Sequence, residues 1–430
     1  METVKVGLLG CGVVGGATLR ILNDNADELA ARVGAPIEVV KVAVRDPGRA
    51  RSVELDPRRA TSDPGEVVDN PSIHIVVEAM GGVTAARDLI LRAIASGKHV
   101  VTANKELLAS AGGEVLEAAA AAGVDVLFEG AVGGGIPILR PLRESLAGDR
   151  VHKVMGIVNG TTNFILTRMS ETGESFEDAL AEAVVLGYAE ADPSADVEGS
   201  DAASKLAILA TLAFGSTVVP DDIETEGITR VTPADIAAAH ELGYEVKLLA
   251  VAEAAGDSVS VRVHPAMLPR THPLAAVRDV FNAIFVEGEN VGELMFLGRG
   301  AGGAPTASAV TGDVVEIARN IVSGGRSPAS AGYSRRATIL PQEQAPVRYY
   351  LVLSVLDQPG VLAAVAGAFA DQGISISSVR QEGTGDQATL VLITHLAGEG
   401  RHRATFERLQ GLEVVKEIAS KMRVEGTSEA

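Results

Sequence analysis

The chain has 430 residues, a formal net charge of −19, 47% hydrophobic residues and a single cysteine. The acidic balance argues against nucleic acid or an anionic membrane as a partner, and no apolar run of about 18 residues is available to span a bilayer. One cysteine excludes an internal disulfide framework and a cysteine-built metal site, and it fits the reducing cytoplasm that we predict as the location.

The chain opens with an apolar strand at residues 4–9, followed by a glycine-rich turn and a helical pattern. The turn has the G-x-G-x-x-G spacing of dinucleotide-binding folds and reads Gly10, Cys11, Gly12, Val13, Val14, Gly15. Gly10 permits the tight turn, Gly12 lets a pyrophosphate approach the backbone, and Gly15 lets helix and strand pack closely. The amides of the helix start attract phosphate. The pattern predicts a dinucleotide site, the alternative being a related fold that keeps the turn without the ligand.

The second predicted strand, residues 37–44, bears on the choice of cofactor because it ends at Arg45. Folds that select NAD usually place an acid at this strand tip for the ribose hydroxyls, whereas arginine suits a ribose 2′-phosphate. Arg49 and Arg51 follow closely, but Asp46 is adjacent. We therefore predict NADP as the cofactor, with NAD as the alternative.

Three more apolar strands, at residues 73–79, 99–103 and 124–129, alternate with helical patterns and predict a parallel, doubly wound sheet. Ligands of such sheets bind at the carboxyl ends of the strands. Lys105 follows the fourth strand. It can therefore meet a substrate carboxylate or the nicotinamide region, or it can be a solvated lysine at a helix start.

The fifth strand ends in a loop, residues 129–137, that combines Glu129 with three successive glycines. Backbone carbonyls exposed by such glycines, next to a carboxylate, can hold a hard monovalent cation. The alternative is a tight turn between domains.

Residues 187–205 contain five carboxylates in a loop broken by glycine and proline, and they lead into an apolar helix. Asp201 and Lys205 are four residues apart, so one helical turn places them on the same face. A partly desolvated lysine at this point exchanges protons more readily than a surface lysine. The alternative is an ordinary capped helix with a surface ion pair.

The C-terminal part begins with residues 323–347, whose glycine, serine and proline content predicts a linker. Residues 348–425 then show the βαββαβ order of a ferredoxin-like domain. Its first helix follows the turn from Asp357 to Gly360, where free amides can bind a ligand carboxylate. The alternative is a module that serves only oligomerisation.

Six motifs together resemble those of homoserine dehydrogenases of the long, monofunctional bacterial type with a C-terminal ACT domain. The resemblance covers nearly the whole chain, and the motifs read GCGVVG, TANK, EGAVGGGIP, NGTTNFIL, GYAEADPSADVEGSDAASK and GRGAGGAPTASAV. The resemblance implies an α/β fold in which a Rossmann nucleotide-binding domain, residues 1–133, is completed by a returning helix at about 304–322. It further implies an α+β catalytic and dimerisation domain at 134–303, the linker at 323–347 and a ferredoxin-like ACT domain at 348–425.

The resemblance also implies residue roles. Lys205 is expected to be the general acid and base, with Lys105 also in the active site, while Glu190 and Asp201 hold the substrate. The expected cofactor-binding residues are Gly10, Gly12, Val13, Val14, Gly15, Arg45, Lys105, Gly187 and Gly302. A sodium ion is expected, through side-chain and carbonyl oxygens, at Glu129, Val132, Gly134 and Ile136.

The reaction implied is the NAD(P)-dependent interconversion of L-homoserine and L-aspartate 4-semialdehyde, a step of threonine, methionine and isoleucine biosynthesis. L-Threonine is the expected effector at paired ACT domains, and the chain is expected to form a homodimer or homotetramer. One alternative, aspartate-semialdehyde dehydrogenase, needs a nucleophilic thiol, but the single thiol, Cys11, lies in the phosphate-binding turn. The other alternative is a nucleotide-dependent regulatory or binding protein, for which the sequence shows neither a helix-turn-helix nor a basic patch.

Overall fold

The structure is a computed structural model that describes residues 2–49, 51, 53–327, 335–383 and 388–426. The chain divides into two compact units. The first consists of Met1–Gly160, Ser200–Ile223 and Val280–Ala337, and the second of Thr161–Gly199, Glu224–Asp279 and Thr338–Ala430. Within the described ranges, no helix is long and apolar enough to cross a membrane.

The strands and helices are numbered in chain order. The strands are β1 Val4–Leu9, β2 Ile37–Ala43, β3 Ala60–Thr61, β4 Ile75–Glu78, β5 His99–Thr102, β6 Val126–Leu127, β7 Val151–Ile157, β8 Glu224–Thr225, β9 Tyr244–Ala255, β10 Ser258–Pro269, β11 Phe281–Gly288, β12 Gly292–Arg299, β13 Pro346–Val355, β14 Ile376–Glu382, β15 Thr389–Thr394, β16 Ala397–Gly398 and β17 Val415–Val424. The helices are α1 Val13–Asp24, α2 Ala26–Val33, α3 Gly65–Val68, α4 Thr84–Ala95, α5 Lys105–Ala122, α6 Gly160–Thr172, α7 Phe176–Val185, α8 Ser194–Val197, α9 Ser200–Phe214, α10 Pro233–Glu241, α11 Gly303–Ser323, α12 Val361–Asp371 and α13 Glu399–Gln410.

The first unit contains a six-stranded sheet in the order β3-β2-β1-β4-β5-β6. All its pairings are parallel, which confirms the predicted doubly wound sheet. The strands are apolar because helices cover both faces, and Val6, Leu8 and Val77 are fully buried. The strand order reverses between β1 and β4, and ligands of open α/β sheets bind at the carboxyl ends beside such a reversal.

The first unit also contains the antiparallel strands β12, β11 and β7, and helix α9. Helix α9 packs on α5 and on β7. It is apolar around most of its circumference, and the run from Leu206 to Thr211 is buried. This burial fixes the start of α9, where Asp201 and Lys205 lie.

In the second unit, the strands follow the order β9-β10-β17-β13-β15-β14. The C-terminal βαββαβ domain is present as predicted, with Leu351, Phe369 and Leu392 in its core. Its last strand, β17, pairs in parallel with β10. A buried ion pair between Arg262 and Glu425, 2.7 Å, strengthens the same junction.

Two features differ from the sequence-based picture. Strands β10, β11 and β12 were not predicted. Residues 328–334 of the predicted linker lie outside the described residues, but the part that follows them is attached by backbone hydrogen bonds. Thr217 N donates to Arg335 O at 2.7 Å in the first unit, and Val259 N donates to Thr338 O at 2.9 Å in the second.

Candidate active site

The glycine-rich turn between β1 and α1 has the geometry of a phosphate-binding loop. Gly10 has φ +93°, and a Cβ there would lie 2.5 Å from Ala79 O. A Cβ on Gly15 would lie 2.3 Å from Gly10 O, so both positions require glycine. A Cβ on Gly12, in contrast, would meet nothing within 4 Å. The open side of Gly12, at the start of α1, is therefore the place where a pyrophosphate fits.

A second helix start lies against this turn. Helix α11 begins at Gly303, after Gly302 with φ +119°. A Cβ on Gly303 would lie 2.7 Å from the side chain of Val13, the first residue of α1. The amino ends of two helices thus meet beside Gly12, and both present free amides and a favourable dipole to an anion.

A cavity of about 340 Å³ extends from the turn across the carboxyl ends of β4 and β5. Its lining residues are Val13, Val14, Glu78, Ala79, Met80, Gly81, Gly82, Ala103, Asn104, Lys105 and Glu106. The cavity therefore joins the proposed phosphate position to Lys105. Its position and its donors fit the half of a dinucleotide that runs from the pyrophosphate to the nicotinamide.

Lys105 and Lys205 converge on one carboxylate. Lys205 Nζ lies 2.6 Å from Asp201 Oδ2, and Lys105 Nζ lies 3.4 Å from Asp201 Oδ1. Asn159 Nδ2 donates to Asp201 Oδ2 at 2.9 Å, and Lys205 Nζ also donates to Val158 O at 2.8 Å. Three elements build the cluster, because Lys205 and Asp201 lie on α9, Lys105 begins α5, and Val158 and Asn159 follow β7.

The cluster is not a surface ion pair, because the side chains of Lys205 and Asp201 are only 11% and 10% exposed. Burial by itself would raise the pKa of Asp201, but the charges of Lys205 and Lys105 outweigh it and hold that pKa below its usual value. Two ammonium groups on one ionised carboxylate leave a net positive charge. Such a cluster can bind a substrate anion, stabilise a developing alkoxide and exchange a proton with it.

In the loop after β6, the carboxylate of Glu129 is held by backbone amides. Glu129 accepts hydrogen bonds from the amides of Ile138, Leu139 and Arg140 at 2.6, 2.9 and 2.7 Å. Burial raises the pKa of Glu129, although these amides act in the opposite direction. The side chain thus serves to tie the loop to the turn that follows it. The described residues include no cluster of three or more acidic, histidine or cysteine side chains suited to a metal ion.

The remaining residues of this loop offer backbone groups. Gly133 and Gly134 have φ +74° and +56°, and a Cβ on Gly134 would lie 2.6 Å from Gly300 O. Within the described ranges, no backbone amide donates to the carbonyl oxygens of Val132, Gly134 or Ile136. If a monovalent cation binds here, carbonyl oxygens are its available ligands.

At the tip of β2, Arg45 and Arg49 are exposed to solvent. Arg51 turns back to donate to Arg49 O at 2.6 Å, and its charge acts on the nearby Cys11. Burial raises the pKa of Cys11, whose exposure is 7%. A buried, protonated thiol inside the phosphate turn is not a nucleophile, which removes the basis for an aspartate-semialdehyde dehydrogenase.

Glu190 and Gly187 belong to the second unit, in the segment between α7 and α8. Gly187 has φ +73°, and Glu190 is exposed. Thr161 Oγ1 donates to Tyr188 O at 2.7 Å and holds this segment to α6. Asn159 was not predicted as the partner of Asp201, although it is the first residue of the NGTTNFIL motif.

Comparison with known proteins places these features in one family. The profile of homoserine dehydrogenase matches residues 137–315, that of the homoserine dehydrogenase NAD-binding domain matches 10–129, and that of the ACT domain matches 349–414. A homoserine dehydrogenase of Mycobacterium tuberculosis is 50% identical over 437 residues, which cover 99% of this chain and 98% of that protein.

Solved structures agree. A homoserine dehydrogenase from Thiobacillus denitrificans superimposes with a TM-score of 0.91 at 43% identity, covering 99% of both chains. A hyperthermophilic archaeal homoserine dehydrogenase in complex with NADPH gives a TM-score of 0.62 at 28% identity, covering 74% of this chain and 98% of that one.

Proposed function

The chain belongs to the homoserine dehydrogenase family and is an oxidoreductase of that kind, and we propose that Lys205 exchanges the proton of its reaction. The observation behind the proposal is the buried cluster of Lys205, Asp201 and Lys105 in the unit that contains the dinucleotide turn. L-Homoserine and L-aspartate 4-semialdehyde differ by a hydride and a proton. The nicotinamide cofactor, when bound, supplies or accepts the hydride.

The chain's own residues handle the proton and the charge. In the direction of aldehyde reduction, the ammonium form of Lys205 gives a proton to the aldehyde oxygen as the carbonyl carbon receives the hydride. In homoserine oxidation, the neutral amine form of Lys205 takes the hydroxyl proton as the hydride leaves the carbon that bears the hydroxyl group. Val158 O and Asp201 hold Nζ in place at 2.8 and 2.6 Å. Lys105, on the other oxygen of Asp201, adds positive charge where the alkoxide oxygen develops.

The substrate has an ammonium group, and we assign Glu190 and Asp201 as its anionic partners. We propose a second role for Asp201, positioning of the lysines, because both of its oxygens are already engaged by lysine or asparagine nitrogens. Glu190 is exposed to solvent, so its carboxylate is accessible to the ammonium group of the substrate. Replacing each by its amide therefore separates ammonium binding from positioning of the lysines.

For the cofactor, the fold supports a nicotinamide dinucleotide, and we propose NADP in preference to NAD. Arg45 and Arg49, exposed at the tip of β2, can reach a 2′-phosphate. The NADPH bound to the archaeal relative supports the same choice. The dinucleotide turn, Gly302 and Lys105 are proposed to hold the remainder of the cofactor, and Gly187 stays a proposed cofactor contact.

We also propose that the loop from Glu129 to Ile136 binds sodium at Glu129, Val132, Gly134 and Ile136, through side-chain and carbonyl oxygens. The cation would order the loop and take no part in the proton exchange. A thermal unfolding series in sodium, potassium and choline chloride at equal ionic strength tests it. Selective stabilisation by sodium is expected, and equal stability in all three salts would contradict the site.

The C-terminal domain is proposed to bind L-threonine as a feedback inhibitor at the turn before α12. Gly360 has φ +94° there and precedes the first amides of α12. No atom lies within 4 Å of a Cβ added at Gly360, so Gly360→Ala distorts the turn through its backbone angle without a clash. We expect threonine to inhibit the wild-type chain and not this variant. Equal sensitivity of the two proteins to threonine would place any inhibition at another site.

The expected assembly as a homodimer or homotetramer and the expected cytoplasmic location stay predictions.

The experiment for the central proposal is a rapid-mixing measurement of cofactor reduction by L-homoserine with wild type and Lys205→Met. The variant is expected to bind cofactor normally and to lose the fast reduction phase. Cofactor reduction at the wild-type rate would show that another group exchanges the proton.

A further inference from the structure

Glu78 is a buried carboxylate on the wall of the proposed cofactor cavity. It ends β4, its exposure is 0%, and it lines the cavity together with Lys105. Its Oε2 accepts a hydrogen bond of 2.6 Å from Thr102 Oγ1, and its Oε1 accepts from the amides of Met80 and Gly81 at 2.8 and 3.3 Å. Glu78 takes no part in the proton exchange proposed for Lys205.

The hydrogen bonds indicate that Glu78 is ionised. Thr102 Oγ1 accepts from Asn104 N at 3.1 Å, so its proton is directed to Glu78. A carboxylate that only accepts, from one hydroxyl and two amides, is bonded as the anion. Within the described ranges, no lysine, arginine or histidine nitrogen lies within 4.0 Å of it. Three neutral donors thus maintain a buried negative charge that has no cationic partner, an arrangement that is costly unless a ligand compensates it.

The position of Glu78 in the cavity identifies the part of the ligand that meets this charge. One end of the cavity is the start of α1, where the pyrophosphate fits, and the other end is Lys105, which contacts Asp201 beside Lys205. Glu78 lies between these ends, on the path of the nicotinamide half. The oxidised nicotinamide ring has a positive charge and the reduced ring is neutral. Of the charged groups facing the cavity, Lys105 is paired with Asp201, and Glu106 is exposed to solvent.

We propose that Glu78 determines the preference of the cavity for the redox form of the cofactor, favouring the oxidised, cationic form over the reduced, neutral form. The proposal rests on the assignment of this cavity to the nicotinamide cofactor. Because the charge is buried, its attraction for the ring is weakly screened by solvent. The same attraction is absent once the ring is reduced, so Glu78 eases release of the reduced cofactor after homoserine oxidation.

The test is the dissociation constant of each redox form, measured by titration calorimetry with the full chain. Glu78→Gln keeps the shape of the side chain and removes its charge. We expect it to weaken binding of the oxidised cofactor by roughly tenfold and that of the reduced cofactor by less than about twofold. Glu117→Gln is the matched control, because it removes an exposed carboxylate of α5 that does not line the cavity and should leave both constants unchanged.

Other outcomes separate the explanations. Equal weakening of both forms by Glu78→Gln, or no weakening, overturns the proposal. Gly12→Val tests the assignment of the cavity to the cofactor. If the turn holds the pyrophosphate, this variant should weaken binding of both redox forms. Unchanged binding in that variant contradicts the cofactor site rather than the role of Glu78. If Glu78→Gln does not fold, Thr102→Val replaces it, since it removes the hydrogen bond from Thr102 Oγ1 to the carboxylate. In that variant, the proposal requires that binding of the oxidised cofactor weakens more than binding of the reduced cofactor.

Discussion

Replacement of Lys205 by methionine isolates the proton function from packing. Methionine keeps most of the aliphatic length of lysine, so the buried volume at the start of α9 is nearly preserved, whereas Lys205→Ala also leaves a void. Both variants lose the contacts of Nζ with Asp201 and Val158, at 2.6 and 2.8 Å. Neither variant touches the glycine-rich turn.

The expected magnitudes follow from these contacts. Loss of a positioned general acid and base lowers turnover by roughly 10²- to 10⁴-fold. Breaking a buried ion pair costs about 3–5 kcal/mol where one charge is left without a partner. Asp201 keeps Lys105 at 3.4 Å and Asn159 at 2.9 Å in these variants, so its charge remains compensated. We therefore expect a loss of about 1–3 kcal/mol in the free energy of unfolding, with Lys205→Ala at the upper end.

The assay combines turnover of L-homoserine at saturating cofactor, cofactor affinity and chemical denaturation for the wild type and both variants. Turnover should fall equally in Lys205→Met and Lys205→Ala, while cofactor affinity stays within about twofold of wild type. Turnover within about tenfold of wild type in folded Lys205→Met would refute the assignment of the proton to Lys205.

Three further predictions concern other residues. Glu190→Gln should raise KM for homoserine with little effect on KM for the cofactor, and a selective effect on the cofactor would sink the assignment. Arg45→Ala should weaken NADP binding more than NAD binding, because only NADP has the 2′-phosphate; equal losses contradict that interpretation. Burial lowers the pKa of Lys247 to about 8. In the unfolded chain this pKa is about 10.4, so folding stability should rise between about pH 8 and pH 10 in wild type and not in Lys247→Met. Parallel pH profiles of the free energy of unfolding would contradict the lowered pKa.

The nucleotide-binding sheet was predictable from the sequence because its signals are local. Most of its strands are short, mainly apolar runs, and the turn from Gly10 to Gly15 needs glycine for reasons visible within a few residues. The pairing of Asp201 with Lys205 was predictable for the same reason, since one helical turn separates them. The partners Asn159 and Lys105 were not, because they approach Asp201 only after three elements have packed together.

Strands β10 and β12 were not predicted, because their sequences lack such local signals. Strand β10 contains Arg262, His264 and Pro265, which interrupt its apolar pattern. Arg262 is nevertheless buried because Glu425, 163 residues later, pairs with it at 2.7 Å. Strand β12 alternates exposed and half-buried residues. The pairing of β17 with β10 also matters for truncation. Removing the chain beyond about residue 340 would leave Arg262 without Glu425 and β10 without its neighbour, so we do not expect such a truncation to leave a fully folded dehydrogenase.

The most direct test of the account is cofactor reduction by the purified wild-type chain on addition of L-homoserine, with NADP and NAD compared at equal concentrations. The account predicts reduction of both cofactors that depends on homoserine, with a higher kcat/KM for NADP than for NAD. No homoserine-dependent reduction of either cofactor would contradict it.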